Sequence, residues 1–153
     1  MTYENHTPAR RRILHMTMMF PFFSSCKAAP MTVVLDVVLF NYLDRAIFDV
    51  FIDGKAAALS TPYPHTGGGT ISGVRLQLGP KTVTWRLGGP EGMPRNGETV
   101  AAKNRLELTS LPPNAEFLAV HIYPGDIVEL IPSVHYPQET EKGVAMSMKA
   151  KRR

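Results

Sequence analysis

The sequence predicts an all-β domain, a small β-sandwich of about seven mainly antiparallel strands. Three observations lead there. Short segments rich in β-branched and aromatic residues recur along the chain, as pleated surfaces favour. Several of them alternate apolar and polar residues with period two. Clusters of Gly, Pro and Asp separate them at short intervals. Beyond the N-terminal region no stretch of ten or more residues shows a clear helical period, and no internal repeat or low-complexity tract occurs. At 153 residues the chain has the size of one ordinary domain.

Taken in order, Thr32 to Tyr42 is the first strand candidate. Ile47 to Ile52 is the second, ending at Asp53-Gly54, a two-residue hairpin signal that pairs it with the stretch after Gly54. Pro62, Pro64 and Gly67-Gly68-Gly69 then make an irregular loop. Thr70 to Leu78 alternates, with Val74, Leu76 and Leu78 facing one way. Gly79-Pro80 reads as a turn. Thr82 to Leu87 alternates again, with Val83, Trp85 and Leu87 inward, which makes Trp85 a core residue. Gly88 to Gly97 is rich in Gly and Pro and reads as a long exposed loop. Val100 to Leu111 is one strand candidate, Glu116 to Tyr123 another, and Ile127 to Ile131 its hairpin partner across Pro124-Gly125-Asp126. Residues after Pro137 are polar and read as a flexible basic tail, 138–153.

Residues 1–26 have a different character. Arg10-Arg11-Arg12 precedes an apolar run from Ile13 to Phe23, and Ser24-Ser25-Cys26 follows. That is the layout of a secretory signal peptide. Phe23-Ser24-Ser25-Cys26 resembles a bacterial lipobox, in which small residues hold a thiol uncrowded for lipid transfer. Cys26 is therefore the expected lipidation site, and Lys27 after it favours the outer membrane by analogy with known sorting. The expected division is 1–26 signal peptide, 27–137 sandwich domain and 138–153 tail. No run of about 18 apolar residues marks a transmembrane helix. A single cysteine excludes an intrachain disulfide and a multi-thiolate zinc site.

The formal charge of +4 is unevenly placed. Lys149, Lys151, Arg152 and Arg153 crowd one end, whereas residues 27–148 carry 10 basic and 12 acidic side chains. A nucleic-acid binder concentrates basic charge on its folded surface, so no nucleic-acid partner is expected.

Few residues suggest chemistry. His65-Thr66-Gly67-Gly68-Gly69 resembles the oxyanion-hole segment of some lipases, but no Gly-x-Ser-x-Gly elbow accompanies it, and glycines suited to a tight turn explain it. A small hydrolase built on His65 is the enzymatic alternative. His65, His121 and His135 match no metal-ligand spacing, and His121 reads as a half-exposed strand residue. Asp44-Arg45 reads as a turn ion pair or a capped corner. The expectation is no catalytic residue, no metal and no cofactor.

Six segments in order carry a resemblance: Phe40-Asn41-Tyr42-Leu43-Asp44-Arg45, Val50-Phe51-Ile52-Asp53-Gly54, His65-Thr66-Gly67-Gly68-Gly69, Trp85-Arg86, Val120-His121-Ile122-Tyr123-Pro124-Gly125 and His135-Tyr136-Pro137. Together, from about residue 40 to 137, they resemble a proteobacterial family of small lipoproteins that includes immunity proteins of type VI secretion effectors, lipases among them. Leu43 and Thr66 depart from the usual family pattern of Thr and Gly. Ile71-Ser72-Gly73 stands where relatives often carry cysteines. The resemblance implies a periplasmic protein, anchored in the outer membrane, that binds and neutralises a cognate effector. Exposed loops on a rigid scaffold would do the binding, and Tyr63, His65 and Arg95 are the candidate contacts. The alternative is a structural envelope lipoprotein without catalytic activity.

Overall fold

The computed structural model describes residues 31–60, 62 and 69–151. They form an all-β sandwich with one helix. The strands are β1 (Thr32–Asn41), β2 (Ile47–Ile52), β3 (Lys55–Ser60), β4 (Thr70–Gln77), β5 (Gly79–Lys81), β6 (Val83–Leu87), β7 (Thr99–Ala101), β8 (Leu106–Leu108), β9 (Phe117–Tyr123) and β10 (Ile127–Ser133), followed by α1 (Glu141–Lys151). One sheet runs β10–β9–β1–β4, the other β3–β2–β6–β7, and β5 pairs with β8 in a short third ladder.

The facing sides of the two large sheets hold the main core. Leu35, Val37 and Leu39 of β1 and Leu118, Val120 and Ile122 of β9 pack with Val50, Ile52 and Trp85 of the second sheet. Trp85 has no exposed surface, as its inward place in the alternation of β6 requires. The Asp53-Gly54 turn closes the β2–β3 hairpin with φ of 50° and 76°, both in the left-handed region that a two-residue hairpin of this hand needs. Asp53 also receives Lys81 Nζ at 2.7 Å and the Thr82 N–H at 2.9 Å, which ties the hairpin to the start of β6.

Three expectations are corrected and one is met. Gly79-Pro80 is not a turn but the start of β5, whose pairing with β8 gives the chain a third ladder. Val100 to Leu111 is not one strand, because β7 pairs with β6 and β8 pairs with β5, and the segment between them changes partner. The pairing is mainly antiparallel, as expected, with one parallel ladder, in which β1 and β9 pair in register Phe40↔His121. Finally, residues 141–151 are not loose but helical, with Thr140 Oγ1 accepting the Gly143 N–H at 3.1 Å as an N-cap.

That helix covers the outer face of the first sheet. Val38, Phe40, Tyr42, Ala119 and Tyr123 form a second apolar cluster there. Gly143 sits flat on the Tyr42 ring, so that a Cβ at this position would fall 2.2 Å from Tyr42 Cζ. Gly143→Val is therefore expected to lift α1 off the sheet while β1 and β9 stay paired. Amide exchange is the check: protection should fall in residues 141–151 and persist in Leu118 to Ile122.

β10 is an edge strand, and its free edge is closed by a side chain. Asn104 Nδ2 donates to the Val128 carbonyl at 2.8 Å and the Val128 N–H donates to Asn104 Oδ1 at 2.9 Å. The amide thus substitutes for one residue of a neighbouring strand. Asn104→Ala should cost roughly 1–2 kcal/mol in urea unfolding, because Val128 then loses both partners in a partly buried place.

Candidate functional site

One end of the sandwich gathers three connections: residues 42–46 between β1 and β2, 88–98 between β6 and β7, and the Pro124-Gly125-Asp126 turn between β9 and β10. Between them lies a cleft of about 310 Å³ lined by Tyr42, Leu43, Asp44, Arg45, Leu87, Arg95, Pro124, Gly125 and Asp126.

The first connection leaves β1 through Asn41, which is fully buried. Its Oδ1 accepts the Leu43 N–H at 3.0 Å and its Nδ2 donates to the Arg45 carbonyl at 2.9 Å, an Asx turn that fixes the corner. The corner is capped by Asn41 rather than by an Asp44–Arg45 ion pair. The Arg45 side chain reaches across instead. Nε donates to the Gly88 carbonyl at 3.0 Å and Nη1 to the Pro94 carbonyl at 2.9 Å. One guanidinium thus holds two points of the 88–98 loop. Its Nη2 is buried and has no hydrogen-bond partner among the described residues.

The loop is also folded on itself. Gly88 N–H donates to Ala46, Gly97 N–H to Leu87, and Glu98 N–H to Arg95. Asn96 Nδ2 reaches the carbonyls of Gly89 and Pro90 at 3.2 and 3.3 Å. A glycine-rich loop of this length is expected to be mobile from composition alone, but these bonds hold it as a series of linked turns. Arg95 takes φ of 61°, a conformation in which glycine would be unstrained. It carries an exposed guanidinium there instead, forked to Glu98 through Nε and Nη2 at 2.8 Å each. That fork holds the Glu98 carboxyl below the usual carboxylate range. Asp126, also at positive φ, is paired with Lys103 Nζ at 2.7 Å. Asp44 is exposed.

A second polar cluster lies beside the cleft, under α1. His121, 1% exposed, shares a hydrogen bond of 3.0 Å between its Nδ1 and Tyr42 Oη. Its ring stacks on Phe40 at 4.7 Å between centroids. The Thr140 N–H donates to Tyr42 Oη at 2.9 Å. Tyr123 Oη donates to Glu129 at 2.8 Å and lies 2.8 Å from Thr140 Oγ1, and Lys142 Nζ reaches Glu129 at 2.7 Å and stands over the Tyr123 ring. Burial lowers the His121 imidazole to about 4, with nearby Glu129 partly opposing it, so the ring is neutral near pH 7. Burial likewise raises both tyrosine phenols. These shifts move His121, Tyr42 and Tyr123 away from proton exchange near neutrality, and the bonds from Tyr42 and Tyr123 to Thr140 and from Glu129 to Lys142 tie α1 to the sheet.

Of the sequence-derived site residues, Arg95 lines the cleft. Tyr63, His65 and Cys26 lie outside the described residues. His121 is fully buried rather than half-exposed, because Phe40 and α1 cover the face of the sheet on which it stands. His135 is exposed in the segment between β10 and α1. Among the described residues no group of three or more His, Cys, Asp or Glu could hold a metal ion, and no helix is long and apolar enough to cross a membrane. Arg45, Asp44 and Asp126 also line the cleft, although the sequence suggests only turn roles for them. The Asn41 to Arg45 segment was the available signal. Comparison with protein-family models, with curated proteins and with solved structures gives no match.

Proposed function

We propose that this chain is a binding protein of the bacterial envelope, lipid-anchored through Cys26 on the periplasmic side of the outer membrane, that recognises and neutralises a cognate type VI secretion effector, a lipase or another toxin acting in the periplasm. One observation carries the binding part. The 88–98 loop is held rigid by Arg45 and by its own turns, and it presents Arg95 in a conformation that glycine would adopt more cheaply. An ordered loop loses little entropy when a partner docks, and an exposed Arg is a frequent anchor of protein interfaces. The envelope part rests on the signal-like residues 1–26 and the toxin part on the motif resemblance.

Co-purification with the product of the adjacent gene tests this reading. The wild-type chain should retain that product and protect cells that export it. Arg95→Ala should weaken the complex at least tenfold while leaving the unfolding midpoint nearly unchanged, because the Arg95–Glu98 pair is solvent-exposed. A chain that neither retains the neighbouring product nor protects cells contradicts the proposal.

A further inference from the structure

The two large sheets have four edge strands, β10, β4, β3 and β7, and three of them are met by other parts of the chain. Asn104 closes β10 at Val128. β3 and β4 meet each other at Leu59 and Gly69, where a Cβ on Gly69 would fall 1.9 Å from the Leu59 carbonyl oxygen, and Lys55 Nζ donates to the Arg75 carbonyl. The fourth edge is β7. The Leu87 N–H donates to the Glu98 carbonyl and the Ala102 N–H to the Val83 carbonyl, which sets the phase of the β6–β7 ladder. Val100 therefore turns its N–H and carbonyl towards β6, and Thr99 and Ala101 turn theirs away.

Among the described residues no hydrogen bond reaches the N–H or carbonyl of Thr99 or Ala101, and both residues are exposed. The next residue in the same phase, Lys103, does find a partner, its N–H donating to the Asp126 carbonyl at 2.9 Å. The open stretch thus lies between two residues of the cleft: Arg95, forked to the Glu98 that precedes it, and Asp126, bonded to the Lys103 that follows it. Two donors and two acceptors, on residues roughly 7 Å apart in extended chain, match the backbone of one added strand. A small anion would satisfy the donors and leave the acceptors facing it.

Resting on the reading of the loop end as a binding surface, we propose that an extended segment of the effector adds to the free edge of β7 as a fifth strand of the second sheet. Its backbone takes the four groups of Thr99 and Ala101. Its central residue lies opposite Val100, on the face of the sheet that carries Trp85, and is apolar. The residues on either side of it point outwards with Thr99 and Ala101. The added strand sets the effector chain beside the cleft, with Arg95 near one end and Asp126 near the other.

The test is residue-resolved amide exchange of the full chain, free and mixed with the purified product of the adjacent gene. Thr99 and Ala101 should exchange fast in the free chain. In the complex both should slow by about tenfold or more, whereas Val100, already turned to β6, changes little. Ala101→Pro removes one edge donor without touching the β6 ladder, and should weaken the complex about tenfold with the unfolding midpoint nearly unchanged. Ala101→Ser keeps the N–H and should bind like the wild type. Strand addition is overturned, with the binding function left standing, by a complex that protects residues 88–98 while Thr99 and Ala101 stay fast. Full-strength binding by Ala101→Pro, or an equal loss in Ala101→Ser, overturns it in the same way. Slow exchange of Thr99 and Ala101 in the free chain also overturns it, because a segment of the same chain would then occupy the edge. Absence of any complex removes both strand addition and the binding function it rests on.

Discussion

Acidification from about pH 6.5 to about pH 4 is expected to remove about 3 kcal/mol of folding stability through His121 alone. The imidazole is buried with its Nδ1 on Tyr42 and its ring on Phe40, so the neutral form is favoured in the folded chain. Its folded-state pKa of about 4 lies below the ordinary histidine value of 6.5. Between those two values the unfolded chain binds a proton that the folded chain excludes. The contribution is therefore intact above about pH 6.5 and lost progressively as the pH falls towards about 4. His121→Gln keeps a polar group beside Tyr42 but does not titrate. Urea midpoints measured from pH 7 to pH 4 should fall steeply in the wild type and more gently in the variant. Parallel slopes in the two proteins would show that His121 does not carry the acid sensitivity.

Arg45→Ala is expected to cost about 2–4 kcal/mol and to weaken partner binding more than any single change on the loop itself. The two carbonyls that Arg45 holds, Gly88 and Pro94, each lose a charge-assisted hydrogen bond worth about 1.5–3 kcal/mol. Relief of the buried, unpartnered Nη2 offsets part of that loss. Amide exchange in residues 88–98 should accelerate, and binding should fall roughly a hundredfold because the loop must then be ordered by the partner. Arg45→Lys should restore little, since one ammonium cannot span both carbonyls in the planar fork geometry. A rigid loop and full affinity in Arg45→Ala would separate the brace from recognition.

Much of the sandwich was legible because its cues are local. The alternation in β6 placed Val83, Trp85 and Leu87 inward, and Asp53-Gly54 specified the β2–β3 hairpin, since both depend on neighbouring residues only. Long-range facts were less accessible. The parallel pairing of β1 and β9 joins segments about eighty positions apart in the chain, and no turn motif announces such a crossover. A cue was present in the apolar runs Val37 to Phe40 and Leu118 to Val120, which indicate strands covered on both faces. Something had to cover the second face. The helix that does so lacked an apolar period because its contact residues are Gly143 and Ser147, and close approach to Tyr42 replaces side-chain burial.

The cleft was only partly legible for a related reason. Arg95 could be picked out as a cation in a glycine-rich loop. Arg45 was read against its neighbour Asp44, whereas its actual partners are Gly88 and Pro94, more than forty positions away. Sequence adjacency suggests an ion pair; the Asx turn at Asn41 instead aims the side chain across the corner.

The central claim is that the loop end of the sandwich is a preformed binding surface. Amide-exchange footprinting of the chain mixed with the product of its adjacent gene tests it most directly. The account predicts new protection confined to residues 42–46, 88–98 and 124–126 and to the open edge of β7, with no change in β10. Protection centred on another face, or no protection at concentrations that support co-purification, would contradict it.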